Sequence, residues 1–327
     1  MIKLIKANLY RMFKSYTLYL ILATAVLLSL VFFLFTTAET DFFRTGFSGD
    51  VTTLYMNRPL INDNYSFDIS ALSNLIIENA LLLIALSSFF IAIFAGKNFN
   101  DGAIRNTLMV GHKKSSIYLT AFIINIISSF IIALALFIST SVYMLLAGLK
   151  PLIWWPYVII MILLMYLFAL VMSSLVMMIV FVTRRTFVAI IAAIVLFAVF
   201  MFIPGSQMVN NELMFYTLGI DVDYMADDTS RITVFFDDDD YREVYRIDGK
   251  EIRVAKHFKD LSSETKARVC FIKSFPFSFF SEYTNYEMNP YILVKGKAAS
   301  RYAAASAVWI VLSTFAGVMI FRKKDII

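Results

Sequence analysis

The sequence predicts an all-α polytopic membrane protein: six transmembrane helices, with a small α+β extracytoplasmic domain between the fifth and the sixth. Three observations predict it. Of the 327 residues, 60% are hydrophobic and 16% charged, against about 45–50% apolar and about 25% charged in a soluble domain. The apolar residues gather into six runs of the length a bilayer demands, about 17–25 residues or somewhat more when tilted. Between the fifth and sixth runs the composition changes, and 16 of the 24 acidic residues lie within residues 206–299.

The first apolar run reaches from Thr17 to about Thr37 behind a basic start. It is longer than the apolar core of a secretory signal and has no small-residue cleavage site, so it is read as a retained first helix. The second is Ser73–Ala95, the third Ile117–Gly148, the fourth Pro156–Val182. Trp154 and Trp155 precede the fourth at an expected interface. Pro156 suits a first helical turn, where its missing N–H costs nothing. The fifth run, Phe187–Ile203, is expected to end at Pro204-Gly205, and the sixth is Tyr302–Phe321. The chain thus divides into residues 1–205 (membrane domain, helices 1–5), 206–299 (outer domain) and 300–327 (helix 6 and tail).

Charge sets the expected orientation. With the N-terminus in the cytoplasm, the inner segments hold Lys3, Lys6, Arg11, Lys14, Lys97, Arg105, Lys113, Lys114, Arg184, Arg185, Arg322, Lys323 and Lys324. Their only acids are Asp101 and Asp325. The short outer segments, 38–72 and 149–155, hold only Arg44, Arg58 and Lys150 as basic residues. Such asymmetry follows the positive-inside rule, and with both termini inside the span count must be even. The net charge of +5 is therefore read as membrane topology rather than nucleic-acid binding.

Within 206–299, Ile232–Phe236, Tyr241–Ile247 and Lys250–Ala255 read as strands. Asp248-Gly249 forms the turn between the last two, because both positions tolerate positive φ. Ser262–Ile272 reads as a short helix, and the Phe- and Tyr-rich Phe275–Tyr291 as an interfacial return to the membrane. Asp237–Asp240 has two readings, a carboxylate site for calcium or a solvated hairpin turn.

Catalytic constellations are absent from the sequence. There is no GxxxxGK[ST] phosphate loop, HExxH or CxxC. The two histidines, His112 and His257, fall on opposite sides of the membrane in this topology, and the single cysteine, Cys270, makes no internal disulfide. The chain is not expected to be an enzyme or to carry a cofactor or metal of its own. Glu78 is the clearest ionisable residue in a span and either a functional group or an acid reaching the outer interface. Asn79 and Asn125 are expected to hydrogen-bond between helices.

The most informative loop is Gly96–Ser116, GKNFNDGAIRNTLMVGHKKSS. Asp101 is expected to cap a short helix from Ala103 to Val110, with Gly111 as its stop. Such a helix lies across the membrane face, where it either presents a surface to a soluble partner or rests on anionic headgroups.

This segment resembles the permease subunits of type-2 ABC exporters. Those chains often read F-x-G-K-[ED]-[FY]-x-x-G-[TA]-[IL]-[RK]-N-x-L, then a Gly, basic residues and an I-Y opening the next helix. The matching residues here are Phe94, Gly96, Lys97, Asn98, Phe99, Gly102, Ala103, Ile104, Arg105, Asn106, Leu108, Gly111, Lys113, Lys114, Ile117 and Tyr118. Asn98 departs from the pattern, standing where an acid is common. Residues 5–14 resemble the amphipathic entry helix of this class, and 321–325 its usual end.

The resemblance implies a separate ATPase subunit, which carries the ATP and Mg, and a second permease copy or paralogue in the same bacterial cell membrane. Phe99, Asn100, Asp101, Gly102, Ile104, Arg105, Asn106 and Leu108 would couple to the ATPase, Arg105 through charge and Ile104 and Leu108 through apolar contact. The implied function is ATP-driven export of a peptide or an amphipathic antimicrobial compound. The competing reading is a membrane-anchored sensor or immunity protein whose outer domain binds a peptide.

Overall fold

The computed structural model describes residues 1–46, 63–146, 155–208, 233–236, 243–247, 250–253 and 298–323. Eight helices occupy most of them: α1 (Ile2–Phe13), α2 (Tyr16–Gly46), α3 (Asp63–Asn100), α4 (Ala103–Met109), α5 (Lys114–Leu146), α6 (Trp155–Thr183), α7 (Thr186–Met208) and α8 (Ala298–Lys323). Three short strands, β1 (Thr233–Phe236), β2 (Glu243–Ile247) and β3 (Lys250–Arg253), form an antiparallel meander in that order. Ile247 pairs with Lys250 across the two-residue Asp248-Gly249 connection. The expected Ser262–Ile272 helix, the Phe275–Tyr291 return and the Asp237–Asp240 run lie outside the described residues.

Among the described residues, five helical stretches are long and apolar enough to cross a bilayer: Tyr16–Leu34, Asn79–Asn100, Lys114–Tyr143, Ile159–Thr183 and Ala299–Lys323. The chain is a multi-pass membrane protein. The expected fifth span falls on α7, whose apolar described stretch is the shorter Thr186–Phe200. That helix also runs through Pro204-Gly205, the expected stop, to Met208. A proline deletes one N–H and strains the preceding turn, but here the chain keeps helical dihedrals beyond it. Helices α2 and α3 likewise extend past their apolar stretches, to Gly46 and back to Asp63, because polar residues can continue a helix that an apolar stretch has already nucleated.

The bundle is built around α3 and α6, the two helices in most extensive contact with each other. α6 also contacts α5, α7 and α8, and α3 contacts α2, α5 and α7. The apolar stretches of these two central helices, Asn79–Asn100 and Ile159–Thr183, are the most buried of the five, the pattern of a helix enclosed by others. Phe90, Ile84, Phe168, Met172 and Met161 fill the main core, with Tyr302 of α8 and Met12 of α1. The surrounding helices turn apolar stripes outward: Leu20, Leu27, Val31 and Leu34 on α2, Leu134, Phe137 and Ile138 on α5, and Val308, Val311, Leu312 and Phe315 on α8. Such stripes are tolerable only in hydrocarbon, where the helix satisfies its own backbone.

Small residues bring helices close at two places. An added Cβ at Gly96 of α3 would collide with Thr186 at the start of α7. One at Gly317 of α8 would collide with the Tyr118 ring of α5. Both contacts lie at the same end of the bundle, the end that carries α4.

Candidate functional site

The α3–α5 connection is held by two glycines in the left-handed region. Gly102 has φ +68° and Gly111 φ +92°; side chains disfavour this conformation because Cβ crowds the following carbonyl. Between them α4 makes seven residues of helix. The start differs from expectation: the N-cap is Gly102, with no side-chain cap, and Asp101 stands one residue before it. The reversal at Gly102 supplies the change of direction, so Asp101 is left exposed. Gly111 does stop the helix, and its N–H donates to the Leu108 carbonyl.

Inward-facing side chains root this elbow. Ile104 is only 5% exposed and joins a core cluster with Leu4, Ile117, Val180 and Phe321. Phe99 and Leu108 pack against the same cluster. Phe99 meets Phe181 of α6 edge-on at 5.2 Å and Phe321 of α8 at 6.3 Å. Phe181 in turn meets Phe321 at 4.9 Å and Tyr118 of α5 at 4.8 Å. These T-shaped contacts place the positive edge of one ring on the negative face of another. One aromatic group therefore ties α3, α5, α6 and α8 beside α4.

Polar contacts add to it. Asn100 Nδ2 donates to Thr186 Oγ1 at 3.5 Å, and Lys114 Nζ donates to the Arg322 carbonyl at 3.3 Å. The Lys114 contact sets a cation on the negative end of α8, a favourable pairing with the helix dipole. Asn98, where the resembling chains often carry an acid, is buried. An amide suits that position, because burying an unpaired carboxylate is far costlier.

The outward face of α4 carries Arg105 and Asn106, both exposed. Its outward apolar residues are Met109, 72% exposed, and Val110, 79% exposed. Ile104, which the resemblance implies offers an apolar contact to a partner, makes its contacts within this chain. The signal for Met109 and Val110 was present in sequence as two apolar residues directly before the Gly111 stop. The turn from α6 to α7 had no such signal: Arg184 adopts φ +58° and its N–H donates to the Val180 carbonyl, an αL cap in a slot that glycine usually fills.

The intramembrane candidates divide. Asn125 is fully buried and donates from Nδ2 to Ser173 Oγ of α6 at 2.8 Å, the expected interhelical bond. Asn79 is half-buried on α3. Glu78 lies on α3, with its side chain outside the described residues. Among the described residues no three His, Cys, Asp or Glu side chains come together as metal ligands.

Comparison with known protein families found no match, and comparison with curated proteins found none either.

Proposed function

We propose that this chain is the membrane-spanning permease subunit of an ATP-driven exporter, working with a separate ATPase. The observation that carries the reading is the rooted elbow. A seven-residue helix hangs between two positive-φ glycines, its inner side chains are locked into the packing of α3, α5, α6 and α8, and its outer side offers Arg105, Asn106, Met109 and Val110. A push on such an element reaches several helices at once, because close-packed interiors transmit displacement rather than absorb it.

In this reading α7 also crosses the membrane, as the fifth of six spans. Its 23 residues measure about 35 Å at 1.5 Å per residue, against a hydrocarbon core of about 30 Å. Both termini and the elbow then face the cytoplasm of a bacterial cell, and residues 206–299 face outward. The ATPase binds the elbow and holds the ATP and Mg. A second permease copy or paralogue completes the path, and the cargo is a peptide or an amphipathic antimicrobial compound, following the resemblance at residues 94–118.

The test is hydrolysis by the ATPase reconstituted with this chain in lipid. With Arg105→Ala and Asn106→Ala together, the stimulated rate should fall at least several-fold and co-purification should weaken. If both stay at the wild-type level, the coupling role of α4 is wrong.

A further inference from the structure

About halfway through the bundle, three helices meet through uncharged polar groups rather than apolar ones. On α6, Ser173 and Ser174 are neighbours that serve different partners. Ser173 Oγ accepts from Asn125 Nδ2 of α5 at 2.8 Å, and Ser174 Oγ lies 2.7 Å from Ser313 Oγ of α8. Asn125, Ser173 and Ser174 are fully buried and Ser313 nearly so. The aromatic group at the elbow marks their level. Asn125 is seven residues beyond Tyr118, Ser174 seven before Phe181, and Ser313 eight before Phe321, each about 10–12 Å along its helix.

Several polar atoms of this layer have capacity left over. The Asn125 amide points at α6, because Nδ2 bonds there, and its Oδ1 has no partner among the described residues. Exchanging the amide's O and N only moves the deficit, since Ser173 offers one oxygen to two amide atoms. Ser129 Oγ, one turn along α5, is fully buried and also without a partner among the described residues, and so is the Oγ1 atom of half-buried Thr314, next to Ser313 in sequence. A serine or threonine in a span ordinarily donates to the carbonyl one turn back, as Ser88, Thr120 and Ser306 do here. Buried polar atoms left over in this way are the usual seats of internal water, which needs two to four polar partners.

We propose that the α5–α6–α8 layer around Asn125, Ser129, Ser173, Ser174 and Ser313 is a binding site for internal water at mid-membrane depth. The occupant must both donate and accept: it donates to Asn125 Oδ1 and accepts from Ser129. Water does both, whereas a metal cation can only be ligated and finds no carboxylate in the layer. Water held there also lets the Asn125–Ser173 and Ser174–Ser313 bonds exchange partners when these helices slide, without exposing a bare polar atom to hydrocarbon.

Radiolytic hydroxyl-radical labelling of the full chain in lipid nanodiscs tests this, because radicals form at bound water. Met177 and Met161 are both fully buried on α6, and each lies six residues from one end of that helix. Met177 is one turn from Ser173 on the same side of α6; Met161 is about three turns away. Met177 should oxidise several-fold faster than Met161, and Asn125→Leu with Ser173→Ala should bring it down to the Met161 rate. Equal rates in the wild-type chain overturn the proposal whatever the variant does. A rate at Met177 that the folded double variant leaves unchanged overturns it too, because the water then lies elsewhere.

Discussion

Tyr118 and Gly317 lie almost two hundred residues apart and share one space. The phenol of Tyr118 occupies the position a Cβ at 317 would need, so Gly317→Ala must push the ring or part α5 from α8. Overpacking of this kind costs about 1–3 kcal/mol, and a thermal melt in detergent should show Gly317→Ala well below wild type. The Tyr118 hydroxyl itself is buried with no hydrogen-bond partner among the described residues. Removing it deletes an unsatisfied group rather than a bond, so Tyr118→Phe should melt at or above the wild-type temperature; a clear drop would show that the hydroxyl has a partner after all. Gly102 and Gly111 pose a different problem. A Cβ at either meets nothing within 4 Å, so alanine there is opposed by the backbone alone, about 1–2 kcal/mol for a left-handed residue. Gly102→Ala and Gly111→Ala should therefore misdirect α4 more than they destabilise the bundle, visible as lost coupling with a small change in melting temperature.

As an element, α4 separates anchoring from presentation. Ile104→Ala empties a buried site and should lower stability by about 2–5 kcal/mol. Met109→Ala and Val110→Ala remove exposed side chains and should leave the melt within about 0.5 kcal/mol of wild type, yet cut stimulated ATP hydrolysis. If Met109→Ala and Val110→Ala together leave hydrolysis intact, the outward face of α4 is not the contact. The same element shows what was legible in sequence. Asp101, Gly111 and the polar break between two apolar runs announced a short helix; the helix is there and stops at Gly111, but Gly102 and not Asp101 is its N-cap. Which of its apolar residues faced inward was not legible. Ile104 and Leu108 against Met109 and Val110 is a question of rotation on a helix of only two turns, settled by Phe181 and Phe321 from distant parts of the chain. Asn125 was legible because a lone amide in a long apolar run has few options; its partner Ser173 was not, since serines recur throughout the spans. The left-handed Arg184 had no signal because arginine does not mark that conformation as glycine does. α7 runs past the expected Pro204-Gly205 stop, and α2 and α3 past their apolar runs, because apolar length reports what lies in hydrocarbon and not where helical dihedrals stop.

For the whole molecule, the described helices form one bundle whose centre, α3 and α6, is enclosed by helices with apolar outer stripes. Composition predicted this directly, since only a bilayer accommodates so much outward apolar surface. Topology is the next level. If α7 crosses the membrane, Cys270, the single cysteine, lies outside. An impermeant thiol reagent should then label it in intact cells, while a cysteine placed at Ile327 of a Cys270→Ser chain should react only after lysis. The reverse pattern would mean that α7 does not cross. The central claim is that this chain is one half of a machine whose energy comes from another chain. Purifying it from its native membranes in mild detergent, and identifying what is recovered with it in fixed ratio, tests that claim most directly. The account predicts an ATP-binding chain at one copy per permease, dissociated by Arg105→Ala with Asn106→Ala. Recovery of the folded wild-type chain with no ATP-binding partner would contradict it.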